Sequence, residues 1–161
     1  MIRLARLWTP TLVVGLAMVF AAGSASAQNS DPHNGTWKLD LAKSTASPGP
    51  MPKSVTLVIE GTDAAHKITV DVTPATGPAQ HWSVSGPFGK ELPVVGNSPT
   101  ADTYVWKRIN ATTIETQHLK GGKPTIKNTS VVSADGKTLT ITGTGTDEQG
   151  RTIHNVAVYG K

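Results

Sequence analysis

Five histidines, eleven carboxylates and no cysteine are the material for chemistry in this 161-residue chain. The histidines, at positions 33, 66, 81, 118 and 154, are dispersed. No pair has the His-x-His or helical i, i+4 spacing that brings two imidazoles to one metal. His118 and His154 are the pair that neighbouring strands could bring together. Without cysteine there is no thiol nucleophile, no thiolate ligand and no disulfide. Glu60, Asp71 and Glu115 alternate with apolar residues and read as solvated strand faces. There is no Gly-x-Ser-x-Gly elbow. Gly121-Gly122-Lys123 and Gly143-Thr144-Gly145 do not lead into a helix, so neither is a phosphate loop. No catalytic residue, metal ligand or cofactor is nominated, and the chain is not expected to be an enzyme.

Aromatic residues carry the stronger signal. Trp82, Tyr104 and Trp106 are candidate walls of a ligand pocket, because aromatics offer a large apolar contact at low entropic cost. Trp106 and Arg108 share a strand face, which suits an anionic head group at Arg108 with an apolar body along Trp106. His118 is the alternative polar anchor. Tyr159, on the face of Asn155 and Ala157, offers a hydroxyl. The plainer reading of Trp82 and Trp106 is ordinary core.

These residues sit on strands. Trp37 and Leu39 fall on one face of the extended stretch Asn34–Asp40, with Thr36, Lys38 and Asp40 on the other. The Pro- and Gly-rich stretch Ala42–Lys53 excludes helix and central strand. A regular series then follows: 54–60, 66–73, 80–85, 91–95 (weakened by Pro93), 102–109, 112–119, 124–133, 138–146 and 151–159. Asp135-Gly136 is the clearest hairpin turn. No window sustains a helical period. About ten short, evenly spaced strands predict an all-β, antiparallel up-and-down barrel without a helical lid, because a long meander closes to hide its edges. Two packed antiparallel sheets are the rival arrangement. Parity alone leaves open which face points inward.

The N-terminus reads as a secretory signal peptide over residues 1–27. Arg3 and Arg6 are positive, Leu12–Ala22 is apolar, and Ala25-Ser26-Ala27 sets a cut after Ala27. Residues 28–33 read as polar spacer and 34–161 as one domain. Removing 27 of the 161 residues leaves 134 with 13 basic against 11 acidic side chains, so the pI of about 9.5 overstates the mature charge. The charges are interspersed, and no basic stripe marks a nucleic-acid partner. No apolar run in residues 28–161 is long enough to span a bilayer. The expected compartment is periplasmic or secreted.

Gly35-Thr36-Trp37, the strand count and the ending Val156-Ala157-Val158-Tyr159-Gly160-Lys161 resemble the lipocalin-like (calycin) barrels. Within that group the chain is most similar to fatty-acid-binding-protein-shaped barrels. The opening Gly35–Leu39 also resembles small exported bacterial proteins of unassigned function. The resemblance implies a barrel with an apolar-ligand cavity. It implies a late basic residue over Trp37, for which Arg108 and Arg151 are candidates. Two features depart from the fatty-acid binders. The stretch after the first strand cannot form their helical lid, and Ala157 stands where their carboxylate-holding arginine falls. The leading expectation is an exported binding protein for a small hydrophobic or amphipathic ligand. The alternative is an envelope structural or interaction protein with a filled core, and no feature nominates its protein partner.

Overall fold

The computed structural model describes residues 31–147 and 150–161. The expected signal peptide, its cut after Ala27 and residues 28–30 lie outside the described residues. Eleven strands form: β1 (Gly35–Leu39), β2 (Ser54–Thr62), β3 (Ala65–Thr73), β4 (Gln80–Gly86), β5 (Glu91–Pro93), β6 (Val95–Gly96), β7 (Thr103–Asn110), β8 (Thr113–Lys120), β9 (Lys123–Val132), β10 (Thr138–Thr146) and β11 (Thr152–Gly160). All pairings are antiparallel. The order around the sheet is β5-β7-β8-β9-β10-β11-β1-β2-β3-β4-β6. This is a nearly closed up-and-down barrel. The one helical element among the described residues is a 3-10 turn at Leu41–Lys43.

The first and last rows of that order belong to one short segment. Residues 91–96 pair with β7 through Glu91–Pro93 and with β4 through Val95–Gly96. The expected strand 91–95 is therefore split, and it stitches the seam between β4 and β7. Pro93 has no N–H to give a ladder, which suits a position where the chain changes neighbours. The Val94 amide donates instead to the Asp102 carbonyl at 2.9 Å. Residues 42–53 are also less free than a plain loop. Thr45 bridges Val156, and the His154 amide donates to the Ser47 carbonyl at 2.8 Å.

Alternation decides the interior. Val55, Leu57 and Ile59 on β2, Val70 on β3, Trp82 and Val84 on β4, and Tyr104 and Trp106 on β7 are buried. The residues between them are half-buried or exposed. One cluster gathers Trp37, Leu57, Val70, Trp82, Leu139 and Tyr159, and a second gathers Val84, Leu92, Tyr104, Trp106 and Ile114.

One end of the barrel is sealed by the N-terminal residues. Trp37 is 0 % exposed, and its Nε1 donates to the His33 carbonyl at 2.8 Å. His33 is equally buried, so the stretch read as spacer takes part in the fold. His33 Nδ1 lies 3.0 Å from Asp31. Arg108 pairs with Asp31 and also reaches Asp63 at 2.6 Å. Desolvation alone would raise the Asp31 carboxyl, but hydrogen bonds from Arg108 and His33 outweigh it and hold the group below its ordinary range. The cation over Trp37 is neither Arg108 nor Arg151. Lys161 Nζ lies 4.5 Å from the indole centroid, an interaction worth about 0.5–2 kcal/mol. Gly35, at φ 137°, leaves room for it: a Cβ there would stand 2.9 Å from Lys161 Cε. Arg108 instead covers Phe88 at 5.2 Å, and Arg151 pairs with Asp147.

Candidate functional site

Away from the sealed end the interior holds a cavity of about 230 Å³. Its two walls differ in chemistry. The apolar wall comes from β2, β3, β4 and β7 and includes Leu57, Ile68, Val70, Trp82 and Trp106. The polar wall comes from β8, β9 and β11 and includes Thr116, His118, Asn128, Ser130 and Asn155. Tyr104 and Tyr159 also line it. Among the described residues no lysine, arginine, aspartate or glutamate does.

His118 is central to the polar wall. Antiparallel pairing sets it opposite Tyr104, and the two rings stack with centroids 4.1 Å apart and planes at 10°. Asn128 Nδ2 donates to His118 Nε2 at 3.1 Å. That donation makes Nε2 the acceptor, so the neutral ring carries its proton on Nδ1. Nδ1 is buried and has no protein partner. Desolvation pushes the imidazole pKa down to about 4, so the ring is uncharged at neutral pH. Trp82 Nε1 donates to the Tyr104 hydroxyl at 3.1 Å. Burial raises the Tyr104 phenol to about 12 and also raises Tyr159.

Asn128 keeps its position because β10 has no side chain opposite it. A Cβ on Gly143 would lie 2.6 Å from Asn128 Oδ1. The Thr- and Gly-rich composition of β10 thus opens space inside the barrel at this level.

A second depression of about 430 Å³ lies at the barrel mouth, opposite the sealed end. Pro99, Thr100, Lys120, Pro124 and Thr146 contribute to its rim, with Ile126 and Ile153 at its base. Ile126 and Ile153 are buried. Two residues further along the same strands, Asn128 and Asn155 line the inner cavity. Thr125 Oγ1 donates to the Thr100 carbonyl at 3.0 Å, tying the 97–102 loop across the rim.

Five of the six residues expected to line a ligand pocket surround the inner cavity: Trp82, Tyr104, Trp106, His118 and Tyr159. Arg108 does not. It shares the inward face of Tyr104 and Trp106, but it lies at the sealed end in the ion-pair cluster with Asp31 and Asp63. An anionic head group at Arg108 would have to displace two carboxylates. His154 is exposed and does not meet the buried His118. His81 is exposed as expected, 2.7 Å from Asp71.

Thr116, Asn128, Ser130 and Asn155 were not among the sequence candidates, because polar strand residues read as solvent-facing. A signal for them exists. Asn128 and Ser130 have the same parity as Ile126 and Val132, and Asn155 the same parity as Ile153 and Ala157. A polar residue in register with apolar ones on both sides points inward.

Among the described residues no group of three or more His, Asp or Glu side chains could hold a metal ion, and no helix is long and apolar enough to cross a membrane. No known protein family, curated protein or solved structure matches the chain.

Proposed function

We propose that this protein is an exported, calycin-like barrel that binds a small hydrophobic or amphipathic molecule and acts by carriage or sequestration rather than catalysis. The supporting observation is the 230 Å³ interior cavity with aromatic side chains on one wall and hydrogen-bonding groups on the other. A barrel whose only task was structural could fill that space with side chains. Here Gly143 and Ala157 leave it open. The volume lies below the roughly 300–1,000 Å³ of drug-sized sites, so the inner cavity suits a compact ligand. A longer molecule would extend past Ile126 and Ile153 into the mouth.

Native mass spectrometry of protein purified from its own envelope, followed by organic extraction, tests the reading. A stoichiometric apolar compound supports it and identifies the ligand class. An apo mass, together with unchanged tryptophan fluorescence across fatty acids, isoprenoids and compact aromatic compounds, rejects it. Trp82 and Trp106 line the cavity, so occupancy should change their emission.

A further inference from the structure

The rim of the barrel mouth is built unevenly. The β8–β9 hairpin stays paired to Lys120–Lys123, and β10 and β11 stay paired to Thr146–Thr152. Residues 97–102, at the same rim, belong to no strand. Both ends of this segment are fixed. The Asn97 amide donates to the His81 carbonyl at 3.0 Å, and Asn97 Oδ1 accepts from the His81 amide at 2.6 Å. The Asp102 amide donates to the Leu119 carbonyl at 3.0 Å, and Asp102 Oδ2 accepts from the Gly121 amide at 2.8 Å. Residues 98–101 between them are held by side chains of the β8–β9 hairpin. Lys120 Nζ donates to the Pro99 carbonyl at 2.8 Å, and Thr125 Oγ1 donates to the Thr100 carbonyl at 3.0 Å. Within 97–102 only Ala101 is buried, and it packs in the cluster of Tyr104 and Trp106.

Releasing this segment is cheap beside opening a ladder. One methyl group leaves the core. The Thr125 hydroxyl keeps an acceptor, because the His118 carbonyl lies 3.3 Å away on its own hairpin. The freed carbonyls turn to water, which replaces a protein hydrogen bond at small net cost. We propose that residues 98–101 form a strap, latched by Thr125 and Lys120, that lifts from the β8–β9 hairpin while Asn97 and Asp102 hold its ends, and so opens the inner cavity at the mouth. Its role as a ligand entrance rests on the binding reading above. Ala101 shares its cluster with Tyr104, whose hydroxyl accepts the Trp82 indole N–H at 3.1 Å. Lifting the strap therefore brings water to that bond.

Hydrogen exchange of the indole N–H groups, followed by NMR in ¹⁵N-labelled protein, reads the opening without any ligand. Trp82 reports the cavity. Trp37, whose Nε1 donates to the His33 carbonyl at the sealed end, reports the whole fold. Thr125→Val removes the latch hydroxyl and keeps the side-chain shape, so Trp82 exchange should rise about fivefold while Trp37 exchange stays the same. Thr125→Ser retains the hydroxyl and should restore the wild-type rate. Ser44→Ala removes the hydroxyl that accepts from the Val158 amide at 2.9 Å, at the β1–β11 joint, and should leave Trp82 unchanged. An unchanged Trp82 rate in Thr125→Val overturns the strap. So does a rise that Trp37 shares, or one that Ser44→Ala matches, because the opening would then be general. The mass-spectrometric test of the binding reading is independent of these rates, so the strap and the binding reading can fall separately.

Discussion

At the sealed end of the barrel His33 is fully buried, with Nδ1 3.0 Å from Asp31 and its carbonyl held by Trp37. In the middle of the barrel His118 is also buried, but its Nδ1 has no partner and its neighbours are Tyr104 and Asn128. The surroundings of the two rings differ. Around His33 the charges of Asp31, Arg108 and Asp63 satisfy one another, which is the pattern of a closure that holds a fold together. Around His118 no charge is present, while each ring keeps one buried nitrogen without a partner, Nε2 on His33 and Nδ1 on His118, so charge is what separates the two surroundings. The same residue type is buried in a charged plug in one region and in an uncharged cavity lining in the other.

Acid should produce the largest effect. His66 and His118 are held neutral, with pKa values pushed by burial from 6.5 to about 4. Below pH 6.5 the unfolded chain takes up protons that the folded chain refuses, so stability falls as pH drops towards 4 and is level above 6.5. Each histidine contributes roughly 3 kcal/mol of loss at pH 4. His33, also lowered by burial, adds a loss of the same sign. Asp31 acts in a different window. Its carboxyl is lowered in the folded state, so its contribution is present above 3.8 and lost only as pH falls through the folded value. Urea unfolding from pH 7 to pH 4 checks this, and His118→Phe should remove a sizeable part of the slope. A flat profile would mean that these rings are not held neutral.

Trp37→Ala attacks the plug and should cost about 3–5 kcal/mol, read as a lowered denaturation midpoint. Arg108→Leu leaves Asp31 without its cation and should cost roughly 2–3 kcal/mol, while ligand-induced changes in Trp82 and Trp106 emission stay the same. A large loss of that response would join the two regions that the structure separates. Gly143→Ala presses a methyl on Asn128 in the interior and should cost about 1–2 kcal/mol, read as a lowered urea midpoint.

Most of the barrel was legible in the sequence because strand parity is a strong code. Val55-Thr56-Leu57-Val58-Ile59 and its neighbours declare a period of two, and Asp135-Gly136 places a turn. Parity carries no information about height along the barrel. Arg108 shares a face with Tyr104, yet four residues along a strand is about 13 Å, enough to move it from the cavity to the plug. Contacts made across the chain were equally hidden. Lys161 reaches Trp37 only because β11 lies beside β1, and His118 meets Tyr104 only in the observed β7–β8 register. Residues 91–95 read as one strand because five residues with a central proline fit a simple strand as well as one shared between two neighbours.

That seam has a mechanical consequence. In a closed hoop, load spreads around the circumference and strain collects at the weakest joint. β10 and β11 share nine residue pairs, whereas the seam segment holds β7 by three and β4 by two, and β1 holds β11 by two. Any increase in girth is therefore divided between the seam, beside Trp82 and Trp106, and the β1–β11 joint, beside Trp37 and Tyr159. A broad guest would thus meet one yielding joint in the apolar wall and a second at the strand that carries the plug.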